Sequence, residues 1–305
     1  MSKLCLAFDT SNYTTSVAWF DGERGENAGR LLDVPEGALG LRQSEALFTH
    51  LKRLPEVMGM LGLESGLEIS AVGASAKPRE EEDSFMPCFL AGLSQASTLA
   101  AALKLPFCSF SHQQGHVAAA AWSAGRLDLL EREHLAWHIS GGTTELLLVR
   151  PKGKAISCEN IGGTTDIAAG QLIDRAGVLL GLRFPAGREL EELSRTAVSK
   201  DFFAPRVEGL SFSLSGVENK VRDYYLSTKS REDTAYFALR SVISAIERAT
   251  EKARERYGDL PVLFSGGVAS NLLLRSIVEG VYPQPLYARD NAMGIAVLTY
   301  RQVFG

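Results

Sequence analysis

The chain is poor in the features that mark secreted, membrane-anchored or self-sufficient nucleic-acid-binding proteins. Its four cysteines, Cys5, Cys88, Cys108 and Cys158, are far apart and share no paired spacing. That argues against a disulfide framework and a thiolate zinc site, and for buried free thiols. No stretch approaches the roughly 18 consecutive apolar residues of a membrane span, so no membrane partner is expected. The opening run from Leu4 to Phe8 meets Asp9 too soon for a secretory signal, and a cytoplasmic location is expected. A basic excess is missing too: the formal net charge is -4. Contact with RNA would need a local patch or another subunit. Lys220, Arg222, Lys229, Arg248, Lys252, Arg254 and Arg256 are the candidates, against the plainer reading of a solvated helix face.

Three familiar signatures are also absent. There is no Gly-Lys-Ser/Thr triplet, hence no P-loop, and no Gly-x-Gly-x-x-Gly after a strand. A metallopeptidase would place a glutamate after its first helix histidine, but Gln113 follows His112. No convincing Ser/His/Asp or Cys/His set stands in its place.

What is present suits one large α/β domain or two medium ones, with 305 residues that are 45% hydrophobic and 22% charged. Leu4–Asp9, a small-residue turn and Thr15–Phe20 read as strand, turn and returning strand. The pattern recurs at Leu135–Ile139, Ser140–Thr144 and Glu145–Val149, suggesting two lobes of related topology. Helices are expected at Ser44–Leu61, Phe89–Leu103, His112–Ala124, Thr164–Leu182, Glu189–Val198 and Thr234–Tyr257. Leu260–Phe264 should be a short buried strand, with helices following from Ala269 and from Asp290. Lys77–Asp83 reads as an exposed loop.

Three turns could hold phosphate through backbone amides: Asp9–Thr14, Ser140–Thr144 and Ser265–Ala269, the last containing Gly266 and Gly267. Each follows a strand. Asp9 could hold a metal or a water there, or simply initiate the turn as an Asx residue. His112 and His116 are four apart, so a helix puts both rings on one face, within reach of one metal. Spacing does not identify a third ligand.

The sequence resembles the TsaD family, also called Gcp or glycoprotease-like, over nearly its whole length. The likeness rests on Ser111-His112-Gln113-Gln114-Gly115-His116, His138 through Thr144, Asp166-Ile167-Ala168-Ala169-Gly170 and Asp174. It continues through Leu180-Gly181-Leu182, Pro185-Ala186-Gly187, Ser211 through Gly216, Ser265 through Asn271, and Asp290-Asn291-Ala292. The resemblance implies an actin-like α/β fold of two ribonuclease-H-like lobes with a cleft between them. Residues 1–130, completed by 281–305, would form the first lobe, and 131–280 the second.

The same resemblance implies a divalent metal, iron or zinc, at His112, His116 and Asp290, to which His138 could add a fourth ligand. It implies a pocket for ATP, ADP or threonylcarbamoyl-adenylate at His138, Ile139, Ser140, Gly141, Gly142, Thr143, Asp174, Gly187, Glu191, Gly266, Gly267 and Asn271. Asp9 and Ser11 of the first turn are the candidate catalytic positions. The implied reaction moves threonylcarbamoyl from its adenylate to N6 of a tRNA adenosine, beside TsaB-like and TsaE-like partner proteins.

Departures from the family pattern are specific. Asn12 and Tyr13 replace an acidic pair, Thr143 a histidine, Ser211 an aspartate, and Lys77-Pro78-Arg79 with its acidic run a glycine-rich loop. They keep open a nucleotide- and metal-binding paralogue with a regulatory or assembly role. Asp9 keeps open a phosphotransferase or hydrolase of the wider superfamily.

Overall fold

The computed structural model describes all residues except 1–2, 12, 34–40, 64–67 and 289–290. The chain divides into two compact units. The first comprises Met1–Arg132, Arg150–Cys158 and Arg289–Gly305; the second comprises Glu133–Val149 and Glu159–Ala288.

The first unit is built on a five-stranded sheet. In chain order come β1 (Leu4–Asp9), β2 (Thr14–Phe20), β3 (Gly25–Leu31), α1 (Gln43–Met60), β4 (Ile69–Lys77), α2 (Phe89–Leu103), β5 (Phe107–Ser111) and α3 (His112–Ser123). The strand order is β3-β2-β1-β4-β5. β1 pairs antiparallel with β2 and parallel with β4, and β4 pairs parallel with β5. Side chains alternate across this sheet. Leu6, Phe8, Val72 and Ala74 therefore join Leu54 and Val57 of α1 and Ala91, Ala96 and Ala100 of α2 in one core.

On the opposite face the C-terminal helix Met293–Phe304 lies close to the strands. A Cβ on Gly73 would stand 2.0 Å from Thr299 Oγ1. The same helix crosses α3 at two glycines, since a Cβ on Gly294 would stand 1.8 Å from the Gly115 carbonyl oxygen. This close crossing explains why α3 is alanine-rich, with Ala118, Ala119, Ala120 and Ala121 fully buried. Parallel strands end at one edge, so Asp9, Ser75 and Ser111 arrive there together.

The second unit contains β6 (His134–Ile139), β7 (Thr144–Lys152), β8 (Ala155–Thr164), α4 (Ala169–Leu179), α5 (Gly187–Ser194), β9 (Val207–Glu208), β10 (Ser211–Phe212), α6 (Ser215–Thr228), α7 (Arg231–Tyr257), β11 (Val262–Ser265) and α8 (Leu272–Ile277). Residues 150–158 of β7 and β8 group with the first unit. The sheet order is β11-β6-β7-β8-β10-β9. Trp137 is fully buried under α7 and donates its indole N–H to Thr250 Oγ1 at 2.9 Å. α7 also pins β9 and the segment leading into it: Arg248 donates to the Pro205 carbonyl at 2.7 Å and Lys252 to that of Val207 at 2.6 Å. Two members of the candidate basic patch are thus engaged with backbone.

Several boundaries differ from expectation for local reasons. The expected helix at Thr164 starts at Ala169, because Thr164 still pairs with Phe212 as the end of β8. Lys77 belongs to β4 rather than a loop, and its ammonium ties the following loop by donating to the Glu80 and Glu81 carbonyls. After β11 the chain makes a 3-10 turn, Gly267–Ser270, before α8 begins at Leu272. The last helix starts at Met293; Asp290 lies outside the described residues. The four thiols are free, with Cys5, Cys88 and Cys158 buried and Cys108 half-buried. Burial, with Cys108 nearby, pushes the Cys5 thiol up to about 12, and burial beside Glu80 and Glu81 raises that of Cys158.

Candidate functional site

In the first unit the site is organised by the start of α3. Ser111 caps the helix: its Oγ accepts from Gln114 N at 3.2 Å, and Gln114 Oε1 accepts from Ser111 N at 2.7 Å. This reciprocal capping box fixes where the helix begins. His112 is therefore its first residue, with His116 one turn on. The two rings meet edge to face, with centroids 4.3 Å apart, and Phe89 lies against His112 at 6.0 Å.

Asp9, fully buried at the end of β1, braces this pair. Its Oδ2 lies 2.7 Å from His112 Nδ1, and its Oδ1 accepts the Ser11 N–H at 2.8 Å. Burial alone would raise the Asp9 carboxyl. The charge and hydrogen bond of His112 and the bonds from Ser11 outweigh it and hold the carboxyl below its ordinary value. Thr10 fastens the turn to α2, donating to the Cys88 carbonyl at 2.9 Å and accepting Gly92 N at 3.0 Å. Thus Asp9 serves at once as an Asx-type turn residue and as the partner of a histidine.

Two buried hydroxyls at this edge, Ser11 Oγ and Ser75 Oγ, have no hydrogen-bond partner among the described residues. Ser75 stands one residue beyond the Phe8–Ala74 pair of the parallel ladder, hence beside Asp9. Buried hydroxyls are normally satisfied, so an additional polar atom fits here. Metal-ligating histidines commonly donate their second ring N–H to a carboxylate, and Asp9 Oδ2 lies within hydrogen-bond distance of His112 Nδ1. The pair and its brace therefore suit a divalent metal. Among the described residues no three His, Cys, Asp or Glu side chains are grouped to hold one, and Asp290 is outside them.

In the second unit the Ser140–Thr144 turn follows His138 and Ile139 of β6. Ser140 N donates to the Thr143 carbonyl at 2.8 Å, and Ser140 Oγ accepts Thr143 N at 3.1 Å. Gly141 and Gly142 border open space, with nothing within 4 Å of a Cβ placed on either. α4 begins directly against this turn, since a Cβ on Gly170 would stand 2.6 Å from the Ser140 carbonyl oxygen. The turn after β11 is brought beside it: a Cβ on Gly266 would stand 2.2 Å from the Ile139 carbonyl oxygen, and His138 Nδ1 lies 3.2 Å from Ser265 Oγ. Gly266 has φ +88°, which a side chain would strain, and Gly267 borders open space.

Asn271 caps α8 by accepting Leu274 N at 2.9 Å, and its Nδ2 donates to Glu191 Oε2 at 3.1 Å. Glu191 Oε1 accepts Leu272 N at 3.1 Å, so α5 and α8 are joined through one carboxylate. A cavity of about 260 Å³ opens beside it, lined among others by Glu191, Ser194, Arg195, Lys200 and Tyr236. Asp174 accepts Ala186 N at 2.8 Å, just before Gly187 starts α5. Burial raises its carboxyl, with that bond opposing.

Sequence reasoning gave Asp166 no role, yet it ties the entry of α4 to the start of α6. Its carboxylate accepts from Ser213 Oγ and Ser215 Oγ at 2.6 Å each, and from Leu214 N at 2.8 Å. Burial would raise this carboxyl, but the bonds hold it far below the ordinary range. Ser75 was missed as well; no local signal marks a strand serine as unsatisfied.

Comparison with known proteins bears on this geometry. Residues 46–297 match the family model described as TsaD, tRNA N6-adenosine threonylcarbamoyltransferase. A protein of that name from Oenococcus oeni is 33% identical over 222 residues, covering 70% of this chain and 62% of its own length. Another, from Syntrophobacter fumaroxidans, is 32% identical over 281 residues, covering 83% of this chain and 79% of its own. Full-length HypF in a phosphate- and nucleotide-bound form superposes with a TM-score of 0.66 at 14% identity, over 99% of this chain and 55% of HypF. That likeness concerns the fold, which is the actin-like α/β class.

Proposed function

Because this chain belongs to the TsaD family of tRNA N6-adenosine threonylcarbamoyltransferases, we propose that it moves a threonylcarbamoyl group from its adenylate to N6 of a tRNA adenosine. The observation that supports this most is the paired His112 and His116 at the start of α3, braced by Asp9, with Ser11 and Ser75 hydroxyls at the same sheet edge that have no partner among the described residues. These histidines, with Asp290, would hold iron or zinc. Such a metal supplies positive charge for the phosphate that departs with AMP.

The chain's own residues do the rest. The open glycines Gly141, Gly142 and Gly267 let a phosphate approach backbone without side-chain obstruction. Glu191, Asn271 and Asp174 would orient ribose and adenine. The attacking group is the acceptor's own amine, so no protein nucleophile is needed. A TsaB-like relative and a TsaE-like ATPase are the proposed partners, and the acceptor tRNA would be met by exposed Lys220, Arg222 and Lys229 of α6 and its end.

The test is transfer itself. Purified chain, alone and with both partners, is given threonylcarbamoyl-adenylate and tRNA, and the digested nucleosides are read by mass spectrometry. Modified adenosine with wild type, and its loss with His116→Ala, supports the reading; no transfer even with partners overturns it. A second reading, a nucleotide- and metal-binding paralogue, has one observation behind it. Both oxygens of Asp9 are committed to protein groups, and Tyr13 follows where the family has an acid. ADP affinity without any transfer would select it.

A further inference from the structure

The His112 ring is held on several sides. The Ser111 cap sets its backbone, His116 and Phe89 lie against its faces and edges, and Asp9 Oδ2 meets Nδ1 at 2.7 Å. The other Asp9 oxygen is occupied by the Ser11 N–H at 2.8 Å, so the carboxylate cannot rotate without breaking the first turn. An ionised carboxylate only accepts hydrogen bonds, so the hydrogen of a neutral imidazole facing it belongs on Nδ1. The lone pair is then on Nε2.

We propose that Asp9 is a positioning residue: it fixes His112 as the Nδ1–H tautomer, making Nε2 the atom offered to a metal. The inference rests on the metal reading above, and it moves Asp9 from a group acting on substrate to one acting through His112. Its sequence separation from His112, 103 residues, is bridged only by the fold.

Asparagine at position 9 is the discriminating change, because it keeps the shape but has one acceptor oxygen in place of two. If that oxygen stays on the Ser11 N–H, the amide nitrogen faces His112 and drives the ring hydrogen to Nε2, the wrong atom for coordination.

The experiment records long-range proton–nitrogen spectra of the imidazoles in the 15N-labelled, metal-free full chain at pH 8. His112→Gln identifies the signals by their loss. Zinc affinity is measured in parallel by competition with a chromogenic chelator. Wild type is expected to show His112 protonated at Nδ1 alone. Asp9→Asn is expected to lose that single-tautomer signature and to bind zinc about 10–100-fold more weakly. A wild-type ring protonated at Nε2 overturns the inference, as does an Asp9→Asn protein with unchanged spectrum and zinc affinity. If Asp9→Asn does not fold, the wild-type spectrum still decides. If wild type takes up no zinc or iron, the metal reading falls, and the spectrum alone judges the tautomer.

Discussion

Replacing Gly170 by alanine sets two opposed effects against each other at one atom. Gly170 is the second residue of α4, where alanine would ordinarily help by about 0.5 kcal/mol through helix propensity. Here the new methyl would lie 2.6 Å from the Ser140 carbonyl oxygen and 2.8 Å from Gly141 Cα and N. These are backbone atoms and cannot swing aside. Relief requires the turn to move, which strains the Gly170 N to Ser140 O bond of 3.2 Å and the Ser140 N to Thr143 O bond of 2.8 Å. Overpacking of this kind costs about 1–3 kcal/mol, so the clash wins and the net loss is about 1–2 kcal/mol.

For a unit of this size that lowers Tm by about 2–8 °C. Gly216→Ala is the matched control: it is also the second residue of its helix, α6, with nothing within 4 Å of the added Cβ. It should raise Tm by about 1–2 °C. Differential scanning calorimetry reads both, and isothermal titration with ADP should show affinity falling about tenfold for Gly170→Ala and unchanged for Gly216→Ala, a difference of about 1.4 kcal/mol. A Gly170→Ala protein melting at or above wild type would refute the packing argument. Failure of wild type to bind ADP would instead remove the nucleotide reading and leave the thermal result standing.

Asp166→Asn should cost about 1 kcal/mol at pH 7, below the roughly 1.5–3 kcal/mol of a buried charged hydrogen bond because the site is partly exposed. The native carboxyl is held below its unfolded value, so its contribution is complete above about pH 4 and drains away as pH falls further; urea midpoints at pH 7 and pH 3 should show the gap to wild type narrowing. Asp174 has the opposite sign: burial raises its carboxyl, so the native state loses stability as pH rises through that value. Asp174→Asn should therefore raise Tm at pH 7 while weakening ADP binding, a trade expected of a functional position. Arg248→Ala and Lys252→Ala should lower Tm, because each side chain holds a backbone carbonyl. Lys220→Ala, Arg222→Ala and Lys229→Ala should leave Tm alone and flatten the salt dependence of tRNA binding by about one each, measured by filter binding.

The sequence spoke clearly where the signal was local. Phe89–Leu103 is a helix over the expected residues because its Ala- and Leu-rich run has few alternatives, and α3 starts where Ser111 and Gln114 can cap it. β3, by contrast, is the polar edge segment Gly25–Leu31, and its pairing with β2 rather than its composition makes it a strand. β4 is rich in small residues since helices press on both of its faces, which hides the usual β-branched pattern. In β8, Gly162 and Gly163 leave no room for a side chain, because the Leu210 and Thr144 carbonyl oxygens approach to 2.3 and 2.2 Å of where a Cβ would be, and Gly163 has φ +128°. The same divide runs through the site. Helical spacing put His112 and His116 on one face, but the Asp9 brace and the Asp166 tie join residues far apart in the chain, and periodicity carries no trace of such meetings.

The sulfur chemistry of this molecule follows from where its thiols lie. A thiol must lose its proton to attack an oxidant or an alkylating reagent, and burial withholds that ionisation at Cys5, Cys108 and Cys158 alike. These three thiols are thus slow to react in the folded chain, and reagent uptake by the buried Cys5 and Cys158 reports molecules that have opened.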